Sequence, residues 1–243
     1  MNKPKNVTDT DWQLLKEKYP NKLNDISVLL ENDYPVQYLI GNVEFIDSII
    51  KVDKRVLIPR FETELLVEKT INYAKKIFKN KINIVDLGTG SGCISIALKK
   101  HLDCNIDAID ISKDAIKLAK ENAKLNKVKI DFINKNMIDE LDKNYDIIIS
   151  NPPYIAKDGY IEKKVLENEP HIALFAENNG LYYYEKIINN HLKKLNKPGL
   201  MAFEIGDNQN KELEKIMFKN KIKKYKFEVD LTGRIRYLFI FNE

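Results

Sequence analysis

The sequence predicts an α/β fold: a mostly parallel, seven-stranded sheet with an antiparallel edge, preceded by a short helical appendage and a β-hairpin. Three observations predict it. From residue 82 onward, short β-prone runs alternate with amphipathic helical stretches, the rhythm of βα units whose sheet is covered on both faces. A glycine-rich turn, Gly88 to Gly92, joins the first of these runs to the first of these helices. The last two runs are separated only by Asp230 to Arg234, which suits a hairpin and an antiparallel edge strand.

The bounds agree. A chain of 243 residues fits one large domain, or one domain with a small appendage, and buries a sizeable core. With 44% hydrophobic and 31% charged residues it has the composition of an ordinary globular protein. The net charge of +4 is too small to demand a nucleic acid and reads as a lysine-rich solvated surface. Cys93 and Cys104 form no CxxC pair, and His101, His171 and His191 have no metal-ligand spacing, so no metal site is expected. The N-terminal Met1-Asn2-Lys3-Pro4 opens no apolar signal segment, and no run approaches the ~18 apolar residues of a membrane span. A reducing, cytoplasmic setting is the expectation.

Three segments are expected: 1–34 as the helical appendage, 35–60 as a linking β-hairpin, and 61–243 as the main domain. Thr8 or Thr10 can cap a helix carrying Trp12, Leu15 and Tyr19, closed by Pro20, and a second short helix runs through Ile26, Leu29 and Leu30. Helices this short bury little alone and need the main domain or a partner to pack on. Val43 to Ile58 is β-prone, with Asp47-Ser48 as the turn. Glu62 to Phe78 is an amphipathic helix. The sheet strands then fall at 82–86, 106–110, 128–133, 145–150, 199–205, 224–229 and 235–241. Helices open at Cys93, after a Ser112 cap, near Tyr182 and near Gln209.

The glycine turn has a chemical use. Gly88, Gly90 and Gly92 let the backbone approach a ligand where a Cβ would collide, with Thr89 and Ser91 between them, and the helix that follows offers free N–H groups. Asp110 ends the next strand, about twenty residues on, where it can accept from two ribose hydroxyls. The spacing is Gly-x-Gly-x-Gly rather than the Gly-x-Gly-x-x-Gly of dinucleotide sites, and there is no second mononucleotide unit. Asn136 and Met137, after the third strand, lie where a base would rest, Asn136 toward an adenine amino group and Met137 against the ring; a surface Asn and a core Met explain the same pair.

The fourth strand ends in Ser150-Asn151-Pro152-Pro153-Tyr154. Such a turn can hold a planar amide or amidine nitrogen through its hydrogens. The Asn151 side-chain oxygen accepts one hydrogen bond, and the Pro152 carbonyl, held rigid before Pro153, accepts the other. Tyr154 stacks on the planar group. A nucleophile as weak as an amide nitrogen gains from in-line orientation and from stabilisation of its developing positive charge, without a strong base. Together the two motifs favour S-adenosyl-L-methionine over NAD, a methyl donor site facing a methyl acceptor site.

These motifs, with Pro35-x-Gln37-Tyr38-x-x-Gly41, Val56 to Glu64, Glu169-Pro170 with Ala173-Leu174, Gly180-Leu181, Glu204-Ile205-Gly206 with Gln209, and Asp230 through Gly233 to Arg236, resemble the HemK/PrmC family of protein-glutamine N5-methyltransferases. The resemblance covers residues 35 to 243. It implies a class I, Rossmann-like S-adenosylmethionine-dependent fold and methylation of the glutamine in the Gly-Gly-Gln loop of class 1 peptide chain release factors. It also implies cofactor contacts at Gly88 to Gly92, Asp110, Asn136, Met137 and Asn151, with no stable nucleic-acid binding and no membrane.

Three departures stand out. Phe61 occupies a usual proline position, which changes the expected local turn, and Asn136 replaces a usual Asp. The N-terminal helical domain that members use to engage the release factor is about half its usual length here. Arg60, Glu62 and Glu64 carry the resemblance without an assigned chemistry. Two other readings compete. Adenine presents the same kind of amino group, so an adenine-N6 methyltransferase on DNA or RNA fits the Asn-Pro-Pro-Tyr grip, but the chain has no target-recognition domain or basic stripe. A non-catalytic cofactor-binding adaptor would have no need of Asn151 and Tyr154.

Overall fold

A computed structural model describes residues 3–5 and 7–243. The expectations for Met1 and Asn2 lie outside these residues. Thr8, not Thr10, caps the first helix, α1 (Asp9–Lys18), by accepting from the Asp11 N–H at 3.0 Å. The second is α2 (Leu23–Glu31). Their packing surface is a short helix that the sequence did not announce, α3 (Val36–Ile40), entered from Pro35 and stopped by Gly41 at φ 84°. Trp12, Leu15, Ile26, Leu30, Val36 and Leu39 form a satellite cluster. Tyr19 and Lys18 donate to the Leu39 carbonyl, so the appendage is tied to the segment that leads into the sheet domain.

The hairpin is shorter than its β-prone run. It pairs β1 (Asn42–Phe45) with β2 (Ser48–Lys51) around a two-residue turn at Ile46 and Asp47, one residue earlier than expected. Residues 52 to 60 are irregular, bury Val52, Val56 and Ile58 in the main core and lead to α4 (Phe61–Ile77). The buried stripe of α4 is Thr63, Leu66, Val67, Thr70, Ile71 and Ala74, an i, i+3, i+4 series in which threonines join the aliphatics.

From there the chain alternates through β3 (Ile82–Leu87), α5 (Cys93–His101), β4 (Cys104–Asp110), α6 (Lys113–Leu125), β5 (Asp131–Asn134) and β6 (Tyr145–Ser150). Ser112 caps α6 through the Ala115 N–H. β5 begins three residues later than its apolar run, because Val128 and Ile130 pack on the core before pairing starts. After β6 come β7 (Ile155–Ala156), α7 (Lys163–Asn168), a 3₁₀ turn (His171–Ala173) and β8 (Phe175–Ala176), a region with too little periodicity to be read from sequence. The chain closes with α8 (Tyr182–His191), β9 (Leu195–Glu204), α9 (Asn210–Lys219), β10 (Tyr225–Val229) and β11 (Ile235–Asn242).

The main sheet has the order β10-β11-β9-β6-β3-β4-β5, parallel except for the antiparallel β9-β11 and β11-β10 pairs. Its central strands are buried on both faces and sort their side chains by parity, while the edge strands β5 and β10 are partly exposed. Ile84, Ile147, Leu200 and Phe239 face one core with α4, α5 and α6, whereas Val85, Ile148, Met201 and Leu238 face the other with α8 and α9. The chain leaves β3 toward β4 and β5, then returns to place β6 on the other side of β3. Ligands of open α/β sheets bind beyond the strand C-termini at such a reversal. Here that crevice receives the loops after β3, β4, β5 and β6. Among the described residues no helix is long and apolar enough to cross a membrane, and no group of His, Cys, Asp and Glu is arranged to hold a metal.

Candidate active site

Two adjoining cavities open at the crevice. Gly88, Gly90, Asp110, Asn136, Met137 and Asn151 all line the first. Asn151 also lines the second, with Pro152 and Tyr154. Asn151 is shared by the two cavities with Leu57 and Ala173, and it is the polar member of the three. Pro153, expected with the acceptor group, faces the first cavity.

The first cavity fits a nucleoside. Gly90 has φ 55° and nothing within 4 Å of where a Cβ would stand, so its backbone is bare toward the cavity. Asp110 accepts from the Gly90 N–H and from the Ser112 N–H, both at 2.8 Å, one on each oxygen. Those bonds orient the carboxylate and leave lone pairs for hydroxyl donors. Burial pushes the Asp110 pKa up, against the backbone N–H groups of Ser112, Gly90 and Ile111 that lower it. Ile111, Met137, Ile172 and Tyr183 give apolar walls.

Thr89, Ser91 and Gly92 stand behind this surface. Thr89 and Ser95 hydroxyls both donate to Oδ2 of Asp86, whose Oδ1 has no partner. Burial pushes the Asp86 pKa up to about 6, partly offset by those hydroxyls. A Cβ on Gly92 would stand 3.2 Å from the Ala119 Cβ, so this glycine serves the close approach of α5 and α6. The Ser91 carbonyl accepts from Asn122.

Asn136 is a loop-former as well as a wall. Its Oδ1 accepts from the Ile138 N–H at 3.2 Å. The Met137 carbonyl accepts from His191 Nε2 at 2.8 Å, and the Ile138 carbonyl from Asn190 at 2.7 Å. A carbonyl can only accept, so the His191 proton sits on Nε2. Burial holds the His191 pKa below its ordinary value. His191, an isolated histidine in the sequence, pins the Asn136–Met137 loop from the end of α8.

On the acceptor side, the Asn151 Nδ2 donates to Thr63 Oγ1 at 3.0 Å, and the Thr63 hydroxyl donates to Glu204 Oε2 at 2.6 Å. Tyr154 donates to the other oxygen of Glu204 at 3.3 Å. Glu204, at the end of β9, is buried. Burial pushes its pKa up to about 7, opposed by the Thr63 hydroxyl and the charge of Arg236 and helped by Glu62. Burial and the Glu204 charge raise the Tyr154 pKa, so its phenol stays neutral.

Residues 61–172 match the methyltransferase small domain family. The chain is 39% identical over 239 residues to a release factor glutamine methyltransferase of Lactococcus lactis subsp. lactis, covering 96% of this chain and 84% of that protein. It is 40% identical over 232 residues to the protein of that name from Flavobacterium psychrophilum, covering 89% and 81%. The chain belongs to the release factor glutamine methyltransferase family. Among solved structures, the human Mettl16 catalytic domain in complex with an RNA hairpin superposes with a TM-score of 0.63 at 17% identity, over 97% of this chain and 93% of that one. That likeness concerns the methyltransferase fold alone.

Of the family stretches that lacked a chemistry in the sequence, Arg60 lines the second cavity and the others make the contacts that hold its surroundings. Arg60 pairs with the buried Glu169 at 2.5 Å, and Glu169 also accepts from the Ile58 N–H. Glu64 accepts from the Ile46 N–H, and the Glu62 carbonyl from Tyr237. Gly180 and Gly206 flank Tyr154: a Cβ on Gly180 would lie 2.1 Å from the Tyr154 carbonyl oxygen, and one on Gly206 would lie 3.1 Å from its ring. Gln209 donates to that same carbonyl at 3.0 Å. Phe61 does not disturb the turn, because α4 still begins at it, behind an extended Arg60. The residues that sequence reasoning missed are Thr63, Glu204 and His191. The first two lie in motifs that carried the resemblance; His191 gave no signal.

Proposed function

We propose that this protein methylates the side-chain amide nitrogen of a glutamine, that of the Gly-Gly-Gln loop of class 1 peptide chain release factors, using S-adenosyl-L-methionine. The observation that carries this reading is that Asn151 lines both cavities with its amide anchored from behind. Leu57 and Ala173 also line both, but Asn151 alone of the three brings a polar side chain to the donor side and the acceptor side.

Gly88, Gly90, Asp110, Asn136 and Met137 hold the cofactor: the glycine backbone and Asp110 meet the ribose, and Met137 meets the base. Thr89, Ser91 and Gly92 shape that turn from the protein side. S-adenosyl-L-methionine, when bound, supplies an electrophilic methyl group on a positively charged sulfur. Asn151 Oδ1 and the Pro152 carbonyl accept the two hydrogens of the glutamine amide, and Tyr154 covers its planar face. These contacts aim the nitrogen lone pair and favour positive charge growing on it. Once the nitrogen has formed its new bond to carbon, its surplus proton leaves to solvent through the acceptor cavity, while Tyr154 and Glu204 hold the frame. Segments 1–34 and 35–60 present this frame to the substrate, and 61–243 form the methyltransferase domain.

The test is transfer of labelled methyl from S-adenosyl-L-methionine to a purified class 1 release factor, with a glutamine-to-alanine loop variant as control. Labelling that disappears in the control is expected. A labelled control, or no labelling of the release factor while cofactor binding is intact, overturns the reading; DNA and RNA would then be tried as acceptors.

A further inference from the structure

The grip on the substrate requires the oxygen end of the Asn151 amide to face the acceptor cavity, and an amide has two ends of nearly the same shape. Reversed, Asn151 would present N–H donors to the donors of the substrate, and the grip would become a repulsion. Something other than packing must choose the orientation.

We propose that Glu204 and Thr63 make that choice: they act as positioning residues that lock the Asn151 amide with its nitrogen inward and its oxygen toward the substrate. This rests on the function proposed above, in which Asn151 Oδ1 accepts from the substrate amide.

The chain of constraints begins at Glu204. A carboxylate only accepts hydrogen bonds. Thr63 has a single hydroxyl hydrogen, and it is committed to Glu204 Oε2 at 2.6 Å. The Thr63 oxygen can therefore serve Asn151 only as an acceptor. That demands a donor, and Asn151 meets it with Nδ2 at 3.0 Å. The opposite orientation would set two oxygens against each other with no hydrogen between them, and the buried Thr63 oxygen would lose its donor.

The relay is rigid at each link. Thr63 and Glu204 are 3% and 1% exposed. Thr63 sits in the first turn of α4, and Glu204 ends β9, next to β6, the strand that delivers Asn151. The second oxygen of Glu204 receives the Tyr154 hydroxyl at 3.3 Å, so one carboxylate aligns both acceptor-side residues. Around it stand Arg236 and Glu62, with the Tyr184 and Tyr237 phenols, and Asp207 pairs with Arg236 at 2.6 Å. The Arg236 guanidinium supplies the positive charge that favours the accepting form of Glu204. Thr63 and Glu204 touch neither cavity. They act through Asn151 and Tyr154.

Two variants separate the hydroxyl from the shape of the side chain. Thr63→Val keeps the volume and removes the hydroxyl; Thr63→Ser keeps the hydroxyl. Thr63→Val is expected to lower kcat by roughly 100-fold, the scale of a small misplacement of a reacting group. Its affinity for S-adenosyl-L-methionine, measured by calorimetry, should stay at the wild-type value, and Thr63→Ser should recover most of kcat. A Thr63→Val enzyme with wild-type kcat, or a Thr63→Ser enzyme as slow as Thr63→Val, overturns the relay. A measurement on the wild-type protein needs no variant to fold: nuclear Overhauser contacts should join the Asn151 side-chain NH₂ to the Thr63 methyl. Their absence from an assigned NH₂ overturns the relay as well. Wild-type enzyme that fails to methylate a release factor sinks the proposed function instead, and the Overhauser result still decides the orientation.

Discussion

The hydroxyl of Thr63 donates to Glu204 across 2.6 Å, joining the first turn of one helix to the end of a strand 141 residues further along the chain. Through it, the Asn-Pro-Pro-Tyr turn is anchored to two distant elements rather than to its own strand. The consequences reach both cavities and are open to measurement.

Removing the Asn151 side chain should separate binding from chemistry. Asn151→Ala is expected to lower methyl transfer by about 100- to 1,000-fold, the cost of deleting one oriented hydrogen-bonding group at a reacting centre. Cofactor affinity by calorimetry should fall little, since Gly90 and Asp110 keep their geometry. Unchanged transfer would remove Asn151 from the mechanism.

Glu204 should write a limb into the pH–rate profile. Its ordinary value is 4.5 and burial lifts it to about 7, so the accepting, ionised form fills in as pH rises through that point. Methyl transfer should rise with it, and Glu204→Gln should flatten the limb. Stability should move in the opposite sense. A folded pKa above the unfolded one favours the protonated form, so the contribution is complete below 4.5 and is lost as pH rises through about 7. Thermal melts of the wild type should lose ground to Glu204→Gln between those values.

The glycine turn should tolerate a methyl group poorly where it meets the base side. Gly88 has φ 77°, and a Cβ there would stand 2.8 Å from the Met137 Cε. Gly88→Ala is expected to cost about 1–2 kcal/mol for the left-handed backbone and to displace Met137 as well. Melting temperature and cofactor affinity should both fall. Gly233→Ala shares the strain at φ 82° with nothing within 4 Å, and it lies outside the cofactor cavity, so it should lower stability alone.

His191 should reveal itself through the cofactor loop. Replacing it with leucine leaves the Met137 carbonyl without its donor, a loss of about 1–3 kcal/mol for a buried group. Cofactor affinity should weaken in step. Because burial depresses its pKa, the neutral ring contributes stability above the ordinary value of 6.5, lost as pH falls through the lower folded value. The wild type should lose its advantage over His191→Leu on acidification, followed by melts from neutral to mildly acidic pH.

Periodicity and turn chemistry are local, and they were enough for the seven strands, their order of appearance, the glycine turn, the acid at Asp110 and the turn at Asn151. The central strands are buried on both faces, so stretches such as Ile147 to Ile149 and Leu200 to Phe203 read as continuous apolar runs. Strand boundaries blur by a few residues, as at β5, where Val128 and Ile130 are apolar for packing rather than pairing. Short elements set by neighbours stayed hidden. α3 needs the surface of α1, and β7 with β8 needs each other, with no period long enough to mark them. The same divide runs through the site. Residues that line the cavities sit at strand ends in recognisable turns, so Gly88, Asp110 and Asn151 stood out in the sequence. Those that hold them do so across the fold: Thr63 and Glu204 behind Asn151, Gly180 and Gly206 around Tyr154, and His191 beneath Met137. A hydrogen bond has no sequence spacing, and only the folded chain brings its two ends together.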